Sequence, residues 1–245
     1  MAQYVYGIVE ATATKPRGRG IDGAPLRLIT GEDAAALVSE IPPGRLRMGR
    51  EEVLLHAQVL DRALAHGPVL PMRFGVVMDD AEDVRGRLLD EHGRDLKAQL
   101  AEMQGKVEIR IRATYDEQAL YRDVVREHPQ IASLRTSVAA RPADAGYYDR
   151  IRLGELVAAA VERRRELDAH AIVDALGEHA QAVETGEVSH ERVVAQASFL
   201  VERSRLAEFN ASVDQVAEAY GGKIRFKYTG PLPPHSFVEL AGSMS

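Results

Sequence analysis

The chain contains no cysteine and no tryptophan among its 245 residues. Without thiols it cannot build a disulfide scaffold, a zinc–thiolate finger, an iron–sulfur cluster or a cysteine nucleophile. It also lacks an excess of basic charge, with 31 Lys and Arg against 37 Asp and Glu and a net charge of -6. That balance argues against a general nucleic-acid binder, which needs a concentrated basic face to neutralise phosphates. Long apolar runs are missing too; Leu156 to Val161 and Val76 to Met78 are typical. A membrane-spanning helix needs roughly 20 apolar residues, so none is expected. The N-terminal Tyr4-Val5-Tyr6-Gly7-Ile8-Val9 has no basic segment ahead of an apolar core, so no secretory signal is expected. A soluble protein is the expectation, compatible with a reducing cytoplasm. What is present is ordinary: 45% hydrophobic and 28% charged residues, enough for a packed core in one large domain or two small ones.

Local patterns divide the chain. Tyr4 to Val9 is rich in β-branched and aromatic residues and predicts a first strand. Lys15 to Pro25 carries Pro16, Gly18, Gly20, Gly23 and Pro25 and predicts an irregular loop. Leu26 to Ile29 predicts a short strand, while Ala34 to Ile41 fits either a helix or a strand ending at Pro42. From Arg50 to His66, Val53, Leu54, Ala57, Leu60, Ala63 and Leu64 suggest one apolar face of a helix, closed by Gly67-Pro68. Val69 to Met78 predicts a buried strand, and Asp79 or Asp80 caps a helix running to about Gln104.

Gly105 marks a boundary. Lys106 to Ala113 alternates polar and apolar residues, as a half-buried strand does. Asp116 to His128 predicts a helix, Ile131 to Ala145 a loop, and Tyr148 to Thr185 a long helix weakened at Gly177. A strand at Val193 to Val201, a helix at Ser204 to Tyr220, a Gly221-Gly222 cap and a strand at Lys223 to Tyr228 follow. Alternating rather than uniformly apolar strands favour an α+β sandwich over a doubly wound parallel sheet. The expected fold class is therefore α+β with two domains, 1–104 and 105–240, the second a modified ferredoxin-like one, and a short tail at 241–245.

Signs of catalysis are few. Gly18-Arg19-Gly20-Ile21-Asp22-Gly23 matches G-x-G-x-x-G, but Pro25 and a strand follow it where a dinucleotide site needs a helix. Eight histidines show neither an H-E-x-x-H string nor a close pair at helical spacing. Glu52/His56 and His170/Asp174 are four apart and read as partners on exposed helix faces. No G-x-S-x-G elbow occurs, and clustered charges such as Arg163-Arg164-Arg165-Glu166 read as solvated ion pairs. The expectation is no catalytic residues, no cofactor and no metal.

Two segments stand out. Arg73 interrupts the apolar run Val69-Leu70-Pro71-Met72-Arg73-Phe74-Gly75, where it needs either a local carboxylate or an external partner. Tyr228-Thr229-Gly230-Pro231-Leu232-Pro233-Pro234-His235-Ser236-Phe237-Val238 combines proline with aromatics, as a terminal segment packed across its domain or a recognition strand would. Together with Tyr4 to Val9, Gly105-Lys106-Val107-Glu108 and Tyr148-Asp149-Arg150, these strings make the chain resemble the gas vesicle GvpL/GvpF family over nearly its whole length, to about Leu240. Leu232 and His235 stand where family members often carry aromatics.

The resemblance implies an accessory or minor structural protein of gas vesicles, localised to the gas vesicle in the cytoplasm and needed for vesicle formation. Its implied partners are the hydrophobic shell protein and other accessory proteins, bound to limit aggregation and help nucleate assembly. Neither nucleic acid nor membrane is an implied partner. The family is no enzyme family and brings no cofactor. Partner contacts are expected at Arg73, Phe74, Tyr228, Pro231, Pro234 and Phe237. The alternative is a small-molecule-binding or enzymatic α+β protein, since ferredoxin-like domains host many activities.

Overall fold

The structure, a computed structural model, describes residues 1–42, 49–142, 146–188, 190 and 192–239. It is α+β with two antiparallel sheets. Contacts group the chain into two compact units that are not continuous in sequence. One comprises the described parts of Met1–Ile109, Leu200–Ser204 and Gly230–Ser245; the other comprises Arg110–Phe199 and Arg205–Thr229. Leu200–Ser204 and the described residues from Gly230 onward thus group with the N-terminal residues. The expected end at 240 and the tail 241–245 lie outside the described residues.

In the first unit, strands β1 (Ala2–Glu10), β2 (Leu26–Thr30), β3 (Ala34–Ile41) and β4 (Val69–Pro71) form a sheet in the order β2-β3-β1-β4. The two-residue β5 (Val77–Met78) also pairs with β1. Ala34–Ile41 is thus a strand, and the single strand expected over Val69–Met78 is two short ones. Gly75, at φ 97°, lies in the connection between them, a backbone conformation that glycine adopts freely. The central strand β1 is buried at every position from Ala2 to Val9 because helices cover both faces. Helix α1 (Arg50–Leu64) covers the Tyr4/Tyr6 face. The other face carries a cluster of Val5, Ile8, Val38 and Leu70 with Val84, Leu88, Leu96 and Leu100. Val5 and Ile8 share that face because a bulge between Val5 and Gly7 slips the alternation by one residue.

The helical residues of that cluster lie on one run. Asp80 Oδ1 accepts the Glu82 and Asp83 amides at 2.9 Å each and so caps α2 (Ala81–Asp83). A π-helical stretch, Val84–Asp90, leads into α3 (Glu91–Met103).

The second sheet joins β6 (Lys106–Tyr115), β7 (Ala182–Thr185), β8 (Val193–Glu202) and β9 (Ile224–Leu232) in the order β7-β8-β6-β9. Helices α4 (Glu117–Glu127), α5 (Pro129–Ala139) and α6 (Tyr147–Gly177) separate β6 from β7, and α7 (Leu206–Ala219) separates β8 from β9. The succession is thus β-α-β-β-α-β, with three helices between its first two strands.

Three expectations need correction here. The loop expected over 131–145 is helical through Ala139, because Pro129 occupies the first turn of α5 and preorganises it; residues 143–145 lie outside the described residues. The long helix ends at Gly177, and Ala182–Thr185 is a short strand at the sheet edge. Strand β9 continues through Gly230 and a cis Gly230–Pro231 peptide to Leu232. Among the described residues, no helix is long and apolar enough to cross a membrane.

Candidate functional site

The motif residues of the first unit converge on a histidine. His56, only 4% exposed on α1, sits among Tyr4, Tyr6 and Phe74. Its Nε2 is 3.1 Å from the Met72 carbonyl and its Nδ1 is 2.8 Å from the Tyr4 hydroxyl. A carbonyl can only accept, so Nε2 carries the proton and Nδ1 accepts from Tyr4. The Tyr4 oxygen accepts the Gly75 amide at 3.2 Å, which closes a chain of bonds from β1 through α1 to the β4–β5 connection. Burial pushes the His56 pKa down to about 4, so the ring is neutral near pH 7. It raises Tyr4 above the usual phenol range. Tyr6 is braced by Ser39 at 2.8 Å and accepts the Ile21 amide at 2.7 Å. The glycine-rich loop therefore serves Tyr6. A Cβ on Gly20 would run into that hydroxyl.

Arg73 projects from this connection, exposed, with no hydrogen bond or ion pair among the described residues. It is not part of a strand. Neighbouring Phe74 is half-buried against Tyr4, with centroids 6.1 Å apart, and against His56 at 5.8 Å. The proline-rich segment is packed into the same unit. Pro234 is buried, and Phe237 and Val238 lie against the apolar cluster. Glu108, fully buried, accepts the Ser236 amide at 2.8 Å and the Ser236 hydroxyl at 2.9 Å. Gln99 donates to the Glu239 carbonyl at 3.0 Å. Part of this segment is thus packed in its unit, while Pro231 and His235 are exposed. Pro231 is exposed at the end of β9, and Tyr228 is 37% exposed on the part of β9 that belongs to the second unit.

The second unit holds two polar clusters and a groove. Tyr115 donates to Asp168 Oδ2 at 2.6 Å, Tyr220 reaches Oδ1 at 3.4 Å, and Arg164 pairs with Glu127 at 2.6 Å and Asp168 at 3.4 Å. Burial, followed by the Asp168 charge, pushes Tyr220 up to about 12. Asp123 takes Lys223 Nζ and Arg126 Nη2, each at 2.7 Å. The Lys223 bond leads in holding its carboxyl below the usual range. The first cluster ties α6 to β6, and the second ties α4 to the turn ahead of β9. Beside them, Tyr121, Val125, Ile131, Leu153 and Val157 line an open groove of about 530 Å³ between α4, α5 and α6.

Sequence reasoning placed two histidine pairs differently. His56 does not pair outward with Glu52; it is a core residue. His170 donates from Nδ1 to the Glu166 carbonyl at 2.8 Å. The signal that could have found His56 was its spacing with Val59, Leu60, Ala63 and Leu64, the face of α1 that is in fact buried. Val53 and Leu54, assigned to the core side, are 46% and 51% exposed.

Fold and clusters together define a two-unit α+β scaffold whose polar groups brace packing and whose remaining apolar side chains face outward. The sequence model of the family described as "Gas vesicle synthesis protein GvpL/GvpF" matches residues 2–239, and the chain belongs to that family. Gas vesicle protein F of Streptomyces sp. (strain CB03234) is 38% identical over 244 residues, covering 98% of this chain and all of that protein. The crystal structure of the gas vesicle protein GvpF from Anabaena sp. PCC7120 superposes with a TM-score of 0.84 at 20% identity, over 98% of this chain and 99% of that one. The Microcystis aeruginosa GvpF structure gives 0.78 at 24% identity with the same coverage. At these identities the structural likeness concerns the fold. The family is not a known enzyme family.

Proposed function

We propose that this protein is an accessory factor of gas vesicle formation, acting in the cytoplasm and at the gas vesicle. It binds the hydrophobic shell protein and other accessory proteins, limits shell-protein aggregation and helps nucleate assembly. The observation that carries the accessory role is the family match over residues 2–239. The binding part is supported by where the large apolar side chains lie. Val53, Leu54 and Val77 in the first unit, and Tyr121, Tyr147, Tyr148 and Ile151 in the second, are exposed. Val53 and Leu54 are neighbours on α1, and the Tyr147 and Tyr148 rings meet at 5.5 Å; contiguous exposed apolar side chains of this kind are candidate contact surfaces. Arg73, charged and unpaired beside Phe74, is a proposed contact of the first unit, and Tyr228 of the second. Pro234 and Phe237 act indirectly, by holding the terminal segment in place.

Pairwise co-expression of the tagged protein with the shell protein, and separately with each accessory protein, tests this reading. The tagged protein should hold shell protein in the supernatant after centrifugation and retain it on affinity resin. Shell protein that pellets equally with and without the tagged protein would overturn the shell-binding part. Retention of other accessory proteins alone would reduce the role to a bridge between them.

A further inference from the structure

The groove between α4, α5 and α6 has no role in the bracing described above. Helix α6 spans 31 residues, about 46 Å at 1.5 Å per residue, yet only Ile172 and Leu176, near its C-terminal end, are buried. Leu153, Leu156, Val157, Ala160 and Val161 form a stripe at helical spacing that is only half-covered. Tyr121 stands 43% exposed on the opposite wall. A volume of about 530 Å³ would suit a drug-sized molecule, but such sites enclose the ligand and converge several polar groups on it. This one is open along helices and apolar along its floor. That is the shape that accepts the i, i+3/i+4, i+7 ridge of an amphipathic helix.

Charge selects the kind of helix. Four arginines of the α4–α6 segment have carboxylates: Arg126 with Asp123 and Glu127, Arg164 with Glu127 and Asp168, Arg165 with Glu162, and Arg141 with Asp149. Arg122 and Arg135, which line the groove itself, have none among the described residues. Arg122 donates only to the Gln118 carbonyl, at 3.2 Å. In a chain with six more acidic than basic residues, two arginines without carboxylates flanking one apolar groove are complementary to acidic side chains. We propose that the α4–α5–α6 groove docks an amphipathic helix of another protein, its apolar ridge on Tyr121, Leu153 and Val157 and its acidic flanks on Arg122 and Arg135. This deepens the accessory reading by naming a binding surface and the chemistry of its partner, and it rests on that reading for the partner's being a vesicle protein.

The test uses a synthetic helix of about 18 residues (five turns) with Leu at i, i+3/i+4 and i+7 and Glu on both flanks. A second peptide differs only in carrying Lys for Glu. Each is labelled and titrated with the purified full-length protein by fluorescence anisotropy. The Glu peptide should bind at least about ten-fold more tightly than the Lys peptide, with the gap narrowing as salt rises. Leu153→Asp should abolish binding, and Arg122→Glu with Arg135→Glu should invert the preference while circular dichroism and Tm stay unchanged. No binding, no charge preference, no inversion, or unchanged binding by Leu153→Asp would overturn the proposal. A dimer that Leu153→Asp dissolves would assign the groove to a second copy and overturn it as well. Failure of shell-protein retention alongside an intact peptide preference would remove the shell-binding reading alone.

Discussion

Acid should destabilise this protein through His56 in a way that one substitution can isolate. The ring is buried, and its two nitrogens are already committed to Tyr4 and the Met72 carbonyl. A proton on Nδ1 would turn that nitrogen from acceptor to donor, force the Tyr4 hydroxyl to give up its present bond, and leave a charge among aromatic rings. The unfolded chain takes up that proton with a pKa of about 6.5, the folded chain only at about 4. Below pH 6.5 the unfolded state binds more protons, so stability falls as pH falls. The loss is fully developed once pH passes the folded value. Each unit of difference corresponds to about 1.4 kcal/mol, so His56 should remove about 2.5 kcal/mol between pH 7 and pH 4.5. His56→Gln keeps a donor and an acceptor but cannot titrate. Urea unfolding of both proteins at pH 7, 5.5 and 4.5 would read the effect as the change in their stability difference, which cancels the other titrating groups. If that difference stays constant within about 0.5 kcal/mol, the folded protein does not hold the His56 ring neutral and the account of its burial is wrong.

Other consequences concern the terminal segment and the second unit. Ser236→Ala removes the hydroxyl donor from the buried Glu108 carboxylate and should cost about 1.5–3 kcal/mol in denaturant unfolding; an unchanged midpoint would mean that the segment is not latched there. Gly230→Ala should cost a similar amount, about 1–3 kcal/mol. Gly230 has φ 151°, and a Cβ there would lie 2.7 Å from Ile109 Cδ1 and 2.9 Å from the Glu108 carbonyl. A Tm within a degree of the parent would refute that packing. Tyr115→Phe deletes the 2.6 Å bond to Asp168, and thermal unfolding should detect a loss of about 1.5–3 kcal/mol.

Much of the fold could be read from local chemistry. Asp80 and Asp116 announced their helices as caps, Gly221-Gly222 ended α7 with φ of 56° and 78°, and alternation marked β6. The failures share a cause, which is that the deciding partner lay far away in sequence. Helix α5 reads as a loop because its Ser and Thr residues dilute a weak periodicity; its support is Ile131, buried in the folded unit. Val69–Met78 is apolar throughout, and only pairing with β1 shows where it breaks. His56 was read as polar and its helix face rotated outward; Tyr4, 52 positions earlier, makes it a core residue. The contact surface was legible only as two motifs. One of them, the proline-rich segment, buries Pro233 and Pro234 and leaves Tyr228, Pro231 and His235 exposed, while the α4–α5–α6 groove had no sequence string to mark it.

The central claim, a role in forming gas vesicles, is tested most directly by complementation. A gas vesicle gene cluster with only this protein's gene removed is expressed in a host, and vesicles are counted by electron microscopy and by the drop in turbidity on pressure collapse. The account predicts no vesicles without the gene and their return with the wild-type copy. Vesicles of normal number and shape in its absence would contradict it.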